Sequence, residues 1–154
     1  MIGHIPGVKI GSKFVNRRAL HDAGVHRGLM QGIGAKGESI VLSGGYVDDV
    51  DKGDVIVYTG QGGRSRDSGR QVKDQELTRG NAALARHHRE GNPIRVSRGG
   101  DLDSPYAPNY GYRYDGLYRI DEVWEVKGRD GFKVYRFRLV RLEGQPPIGE
   151  LEHD

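Results

Sequence analysis

The sequence predicts an α+β fold, a single domain with a loop-rich β structure and a few flanking helices. Three observations point there. Twenty-five glycines follow no period and are interleaved with short β-branched runs, a composition of turns and strands rather than of collagen or disorder. Five segments rich in Val, Ile, Tyr or Phe are bounded by Gly, Pro or Asp, whereas one stretch alone carries a convincing helical period. The length, 154 residues, suits about one domain that buries roughly two-thirds of its unfolded surface.

Taken in chain order, the first element is a helical turn over residues 16–23, capped by Asn16 and closed by Gly24. Strands follow at 39–42 and 54–59. A helix is predicted over 74–89, where Leu77, Asn81, Leu84 and His88 fall at helical spacing and Gly91 followed by Pro93 stops it. Its apolar stripe is thin and Gly80 weakens it, so Leu77, Leu84 and Ala85 are expected to face a sheet. Further strands are predicted at 94–98, 117–126 and 132–142, the last two joined by a hairpin loop at 128–131. In the final strand Phe132 and Val134 share one face while Tyr135, Phe137 and Leu139 share the other, which requires a bulge or burial on both sides. Residues 144–149, Gly-Gln-Pro-Pro-Ile-Gly, have the composition of a linker. The domain is therefore expected to occupy 1–143, with 144–154 a tail toward the rest of a longer chain.

Several classes are excluded. With no cysteine there is no disulfide framework or Cys-based zinc site, and a reducing compartment suits the chain. The N-terminus lacks the basic and apolar regions of a signal peptide, and no apolar run approaches a membrane span, so a soluble cytosolic protein is expected. The net charge of +3 is unevenly spread. Lys and Arg dominate residues 60–100 and 127–141, against an acidic spot at Asp48, Asp49, Asp51 and Asp54. A solvated charged surface and a polyanion ligand both fit that pattern. His4, His21, His26, His87, His88 and His153 show no metal-ligand spacing, so no metal is expected. Residues 49–54 lack the third ligand and downstream glutamate of a calcium loop. Gly60-Gln-Gly-Gly63 lacks the Lys-Ser/Thr of a phosphate-binding loop, and no cofactor is expected.

The stretch from Ser39 to Gly60 carries the strongest chemical signal. Tyr46 and Tyr58 can bracket a flat ring, Asp49 can accept hydrogen bonds from an exocyclic amine, and Gly44-Gly45 lets backbone approach closely. Tyr106, Tyr110, Tyr112, Tyr114 and Tyr118 form either a packed corner or a stacking platform. Core packing is the expectation for Tyr114 and Tyr118. Arg113 and Asp115 flank that turn, where an internal salt bridge and a ligand contact are equally consistent with the sequence.

These blocks together resemble a known family. Ile5-Pro-Gly-Val8, Gly24-Val-His-Arg27, Ser39-Ile-Val-Leu-Ser-Gly-Gly-Tyr46, Asp48-Asp49, Tyr58-Thr-Gly60, Asn81-Ala-Ala-Leu84 and Tyr114-Asp115-Gly116 occur in order, and the chain is similar over nearly its whole length to SRA domains, also called YDG domains. The resemblance implies a PUA-like SRA fold, a curved β-barrel or saddle sheet. It also implies a function: binding double-stranded DNA that carries modified cytosine, chiefly 5-methylcytosine, by flipping the base out of the duplex. Bacterial members of this kind are fused to HNH or other nucleases, so a modification-dependent restriction system is the implied setting, with no catalytic residue in this stretch. The alternatives are a metal-dependent nuclease acting on modified DNA, with the aspartate cluster as its site, a eukaryotic-type nuclear methylation reader, and a partner-binding surface with a degenerate pocket.

Carried over by motif position, Tyr46 and Tyr58 resemble the pair that sandwiches the flipped ring, and Asp49 the carboxylate that reads the cytosine amine. Thr59 and the backbone of Ser43, Gly44 and Gly45 complete the implied pocket. Cytosine offers an N4 amine where thymine has the O4 acceptor, so an ionised Asp49 attracts one and repels the other. Burying the methyl group adds only about 0.8 kcal/mol. The implied duplex and phosphate contacts are His26 and Arg27, the wedge residues Met30 and Gln31, and Arg64, Arg66, Arg70 and Gln71 of a second, shortened loop. That loop lacks the Asn-Lys-Arg with which mammalian members read the opposite strand, so weak discrimination of the opposite cytosine is expected.

Overall fold

The computed structural model describes residues 1–44 and 48–151. Its framework is a mixed sheet of seven strands: β1 Lys13–Phe14, β2 Ser39–Leu42, β3 Val50–Asp51, β4 Val55–Thr59, β5 Pro93–Gly99, β6 Tyr112–Lys127 and β7 Lys133–Arg141. The spatial order is β2-β5-β6-β7-β4-β3, with β1 on the start of β6. Only β2 and β5 run parallel. Among the described residues β2 and β3 do not pair with each other, so the sheet is an open saddle.

Helices α1, Arg17–Asp22, and α2, Arg79–Glu90, flank the sheet. Asn16 caps α1 as its sequence predicts, its Oδ1 accepting the Ala19 N–H at 2.9 Å. Gly91 ends α2 in a left-handed conformation at φ 73°, where a Cβ is unfavourable. Helix α2 starts five residues later than its periodicity suggests. Asp74 and Gln75 are instead bound to the edge of β7: the Lys133 N–H donates to Asp74 Oδ1 at 2.8 Å, the Gln75 N–H to the Lys133 carbonyl at 2.9 Å, and the Tyr135 N–H to Gln75 Oε1 at 2.9 Å. These bonds continue the β4–β7 ladder past Thr59, and Thr78 becomes the helix cap. Leu84 and Ala85 face the sheet as expected, at 0% and 6% exposure, but Leu77, in the non-helical lead-in, is 47% exposed.

Ile40, Leu42, Ile56, Tyr58, Ile94, Val96, Tyr118, Phe137 and Leu139 make the main core, with Leu84 closing it. Leu20, Val25, Val41 and Tyr114 form a second cluster on the other face. Tyr114 and Tyr118 are both fully buried, which settles them as packing residues. The irregularity expected in the last strand falls on its partner, where the β6–β7 register shifts between Ile120 and Glu122. Burial on both faces of β7 also occurs, Val134 on one and Phe137 on the other. The segment after β7 has a linker's composition, yet it packs against the sheet. Gln145 bonds the Leu117 N–H and carbonyl at 2.7 and 2.8 Å, and Ile148 joins the core at 4% exposure. Among the described residues no helix is long and apolar enough to cross a membrane.

Candidate nucleic-acid interface

Four segments converge at the open end of the saddle: the end of β2 at Leu42-Ser43, the approach to β3 at Asp48-Asp49, the end of β4 at Tyr58-Thr59, and the loop before Gly32. They enclose a cavity of about 100 Å³, the space of roughly three waters at about 30 Å³ each. That suits one small ring and excludes a whole nucleotide. Ser43, Asp49, Tyr58, Met30 and Arg64 of the sequence-derived set line it, joined by Arg17, Gly32 and Val41. Gly44 follows Ser43 with φ 81°. Gly45 and Tyr46 lie outside the described residues.

The lining is polar where a ring edge would meet it. Asp49 Oδ1 accepts the Thr59 N–H at 2.7 Å, which fixes the carboxylate and leaves its second oxygen free of that bond. Burial pushes the Asp49 carboxyl up to about 6, against the opposing effects of Thr59 and the positive charge of Arg136. Thr59 is 1% exposed and acts on the Asp49 carboxyl through both its N–H and its side chain, each opposing the effect of burial.

Two loops border the cavity, and they differ in how they are held. In the first, the Arg17 Nη2 donates to the Gly28 carbonyl at 2.9 Å and to the Gln31 carbonyl at 2.5 Å. His26 adds a bond from Nε2 to the same Gln31 carbonyl at 2.9 Å, and its Nδ1 pairs with Ser39 Oγ at 2.7 Å. His26, expected at the duplex surface, is 0% exposed, and burial pulls its pKa down to about 4. It is a neutral anchor beneath the loop. What the loop presents is Arg27, Gln31 and above all Met30, 87% exposed.

The second loop is a small hairpin closed by the pairing of Arg64 with Gln71. Arg64 and Arg66 are exposed, with the Arg64 Nε donating to the Gly69 carbonyl at 2.8 Å. Arg70 reaches Asp130 at 3.3 Å with its own side chain 73% exposed. Gln71 points the other way. It is 8% exposed and donates to the Gly62 and Lys73 carbonyls at 2.7 and 3.1 Å, so it holds the base of the hairpin rather than its tip.

Sequence reasoning did not single out Arg17 and Gly32. Arg17 looks like a solvated helix charge, and nothing in its spacing marks it. Gly32 passes so close to Tyr58 that a Cβ there would lie 2.2 Å from the Tyr58 hydroxyl. Gly32→Ala is therefore expected to push the Tyr58 ring into the cavity. The expected result is loss of base-specific binding with a thermal midpoint lowered by only a few degrees, measured by duplex titration and calorimetry; unchanged base-specific binding would show that the ring has room to move.

The acidic residues at 48–54 do not act as one group. Asp49 lines the cavity, Asp51 is salt-bridged to Arg98 at 2.7 Å and accepts from Ser104 Oγ at 2.7 Å, and Asp54 is exposed. Among the described residues no group of three or more His, Asp or Glu is placed to hold a metal ion. Arg113 and Asp115 form the internal salt bridge, 2.5 Å apart and both fully buried.

The ends of the saddle sheet thus frame a small, carboxylate-bearing cavity between a loop that presents Met30 and a basic hairpin. The profile of the SAD/SRA domain matches residues 1–145, and the chain belongs to that family. It is 42% identical to the histone-lysine N-methyltransferase, H3 lysine-9 specific SUVH4 of Arabidopsis thaliana over 96% of this chain and 26% of that protein. Among solved structures, a modification-dependent TagI restriction endonuclease superposes with a TM-score of 0.89 at 45% identity, over 92% of this chain and 52% of that one. The SRA domain of SUVH5 bound to fully hydroxymethylated CG DNA superposes with a TM-score of 0.80 at 43% identity, over 96% and 97%. The chain thus spans about a quarter of the SUVH4 length and half of the TagI chain.

Proposed function

We propose that this domain binds double-stranded DNA containing modified cytosine and holds the extruded base in the cavity between Asp49, Tyr58 and Ser43. The observation that carries the reading is the Asp49 carboxylate, fixed by Thr59 at the wall of a space the size of one ring. The carboxylate accepts from the cytosine N4 amine, Thr59 holds that carboxylate in place, and Tyr58 offers a ring face worth about 1–3 kcal/mol per stacked base. Met30 fills the space left in the duplex. Arg27, Gln31, Arg64, Arg66 and Arg70 contact the duplex and its phosphates, and Tyr46 is by motif position the second stacking residue. His26 and Gln71 act from beneath by shaping the two loops. Likeness to the TagI endonuclease favours a bacterial restriction role at cytoplasmic DNA, with residues 1–143 as the DNA-binding unit and a nuclease domain elsewhere in a longer parent chain.

The test is a binding titration with matched duplexes holding cytosine, 5-methylcytosine or 5-hydroxymethylcytosine on one or both strands. Tighter binding to the modified duplexes is expected, with little difference between one and two modified strands. Equal affinity for all of them would refute the base pocket. Cleavage of modified duplex by the isolated domain with Mg²⁺ or Mn²⁺ would instead favour a nuclease.

A further inference from the structure

A second cavity adjoins the first and is about six times larger, at about 640 Å³. Arg17 and Ser43 line both, so the two are neighbours across those residues. Its walls come from the start of α1, the turn at Gly100-Asp101 and the segment before β6. Tyr110 lines it at 62% exposure and Leu29 at 41%. An exposed tyrosine and an exposed leucine in one cavity make a contact surface for something part apolar.

The charge pattern narrows what that is. Arg18 lines the groove and is exposed. Behind Tyr110 lies Lys13, its Nζ 4.8 Å from the ring centroid. That ammonium is shielded from solvent and, among the described residues, has no hydrogen-bond partner, so its positive charge is felt at the Tyr110 surface rather than screened by water. Asp101 also lines the groove and is exposed, and the cations outnumber it. The walls fit an anion joined to an apolar ring system, which is what a sugar phosphate presents.

We propose that this groove holds the nucleotide adjoining the extruded cytosine on the same strand, its phosphate against Arg18 and its sugar against Tyr110. The inference rests on the base-pocket reading, because a groove next to the smaller cavity receives the adjoining nucleotide only if the extruded base occupies that cavity. Arg17 is already committed to the Gly28 and Gln31 carbonyls and serves as the divider. The sequence left this Tyr-rich stretch as either core or platform, and Tyr110 takes the second role while Tyr114 and Tyr118 take the first.

Neutral methylphosphonates placed one at a time at the phosphates within two positions of a 5-methylcytosine test this, with wild type, Arg18→Gln and Tyr110→Ala compared by equilibrium binding of the full chain. One substitution is expected to weaken wild type about fivefold, and Arg18→Gln should be insensitive to that same substitution. Tyr110→Ala should bind about fivefold more weakly while keeping the wild-type ratio of 5-methylcytosine to cytosine affinity. Losses that multiply at every position, or a Tyr110→Ala variant that binds like wild type, would overturn the groove assignment alone. Absence of any 5-methylcytosine preference in wild type would overturn the base pocket and this inference with it.

Discussion

Asp49→Asn is expected to reverse the base preference of the domain, so that a duplex with thymine at the target position is bound more tightly than one with 5-methylcytosine. The Thr59 N–H fixes one side-chain oxygen at 2.7 Å, and an asparagine keeps that bond by presenting its carbonyl oxygen there. The amide nitrogen then replaces the second carboxylate oxygen at the cavity wall. A donor faces the cytosine N4 amine and repels it, but meets the thymine O4 acceptor. Both bases carry the 5-methyl group, so stacking and methyl burial are unchanged. A matched against a clashing contact is worth about 1–3 kcal/mol, roughly five- to 150-fold in each direction. Paired titrations with 5-methylcytosine·G and T·G duplexes read the change directly, and retained 5-methylcytosine preference in the variant would mean that Asp49 does not read the amine.

The same substitution carries a stability signature. Burial raises the Asp49 carboxyl from 3.8 to about 6 in the folded protein. Between those values the folded state holds a proton that the unfolded state has lost, so stability falls as pH rises from about 4 to about 6. Above that window the full cost of an ionised buried carboxylate is present. Asparagine removes the cost, and the variant is expected to be more stable than wild type by about 1–3 kcal/mol at pH 7.5, with the gain fading toward pH 4. Urea titrations at several pH values measure it.

How much of this was legible in the sequence depended on the range of the interaction. Five strands were readable because alternation and β-branched content are local, and Asn16 and Gly91 because caps are chemical and adjacent; the two-residue strands β1 and β3 are too short to show alternation, and β6 begins at Tyr112 rather than 117, running through the residues read as a turn at Arg113 and Asp115. The start of α2 was not, since Asp74 and Gln75 are claimed by Lys133 and Tyr135 about 60 residues away, and such a claim leaves no periodic trace. In the site, Ser43, Asp49 and Tyr58 were found through motif order, and they do converge on one cavity. His26 and Gln71 were found too, but motif position does not say which way a side chain points. Both turned inward because the backbone carbonyls of a tight loop need donors, and a buried imidazole or amide supplies them. Arg17 was missed for the converse reason: a helix-surface arginine looks the same in sequence whether it meets water or two loop carbonyls.

Arg98→Ala is expected to destabilise the protein by about 3–5 kcal/mol, a large share of the 5–15 kcal/mol typical of a domain. Arg98 is fully buried and sits at the centre of a charge cluster. It bonds Asp51 at 2.7 and 2.8 Å, Asp115 at 2.7 Å, Tyr118 Oη at 3.1 Å and the Gly53 carbonyl at 2.9 Å. Truncation leaves Asp115 with Arg113, whereas Asp51 keeps only Ser104 and the Gly53 N–H. Burial alone would raise the Asp51 carboxyl, and the Arg98 bond and charge outweigh it to hold the pKa below the usual carboxylate value. In wild type the stability from that pair is therefore present above about pH 4 and lost as pH falls further. Without Arg98 the burial effect prevails and Asp51 titrates above its usual value, so the deficit of the variant should be largest near pH 7 and shrink toward pH 4. Urea midpoints across that range test the sign as well as the size, and a pH-independent deficit would assign the loss to packing instead. The site is reached through the same turn: Asp51 begins the bend that Arg98 and Tyr118 hold at Gly53, and Asp49 lies two residues before it. Arg98→Lys, which keeps the charge but not the two-pronged bond to Asp51, should accordingly remain folded and lose base discrimination before it loses salt-dependent binding to DNA of any sequence.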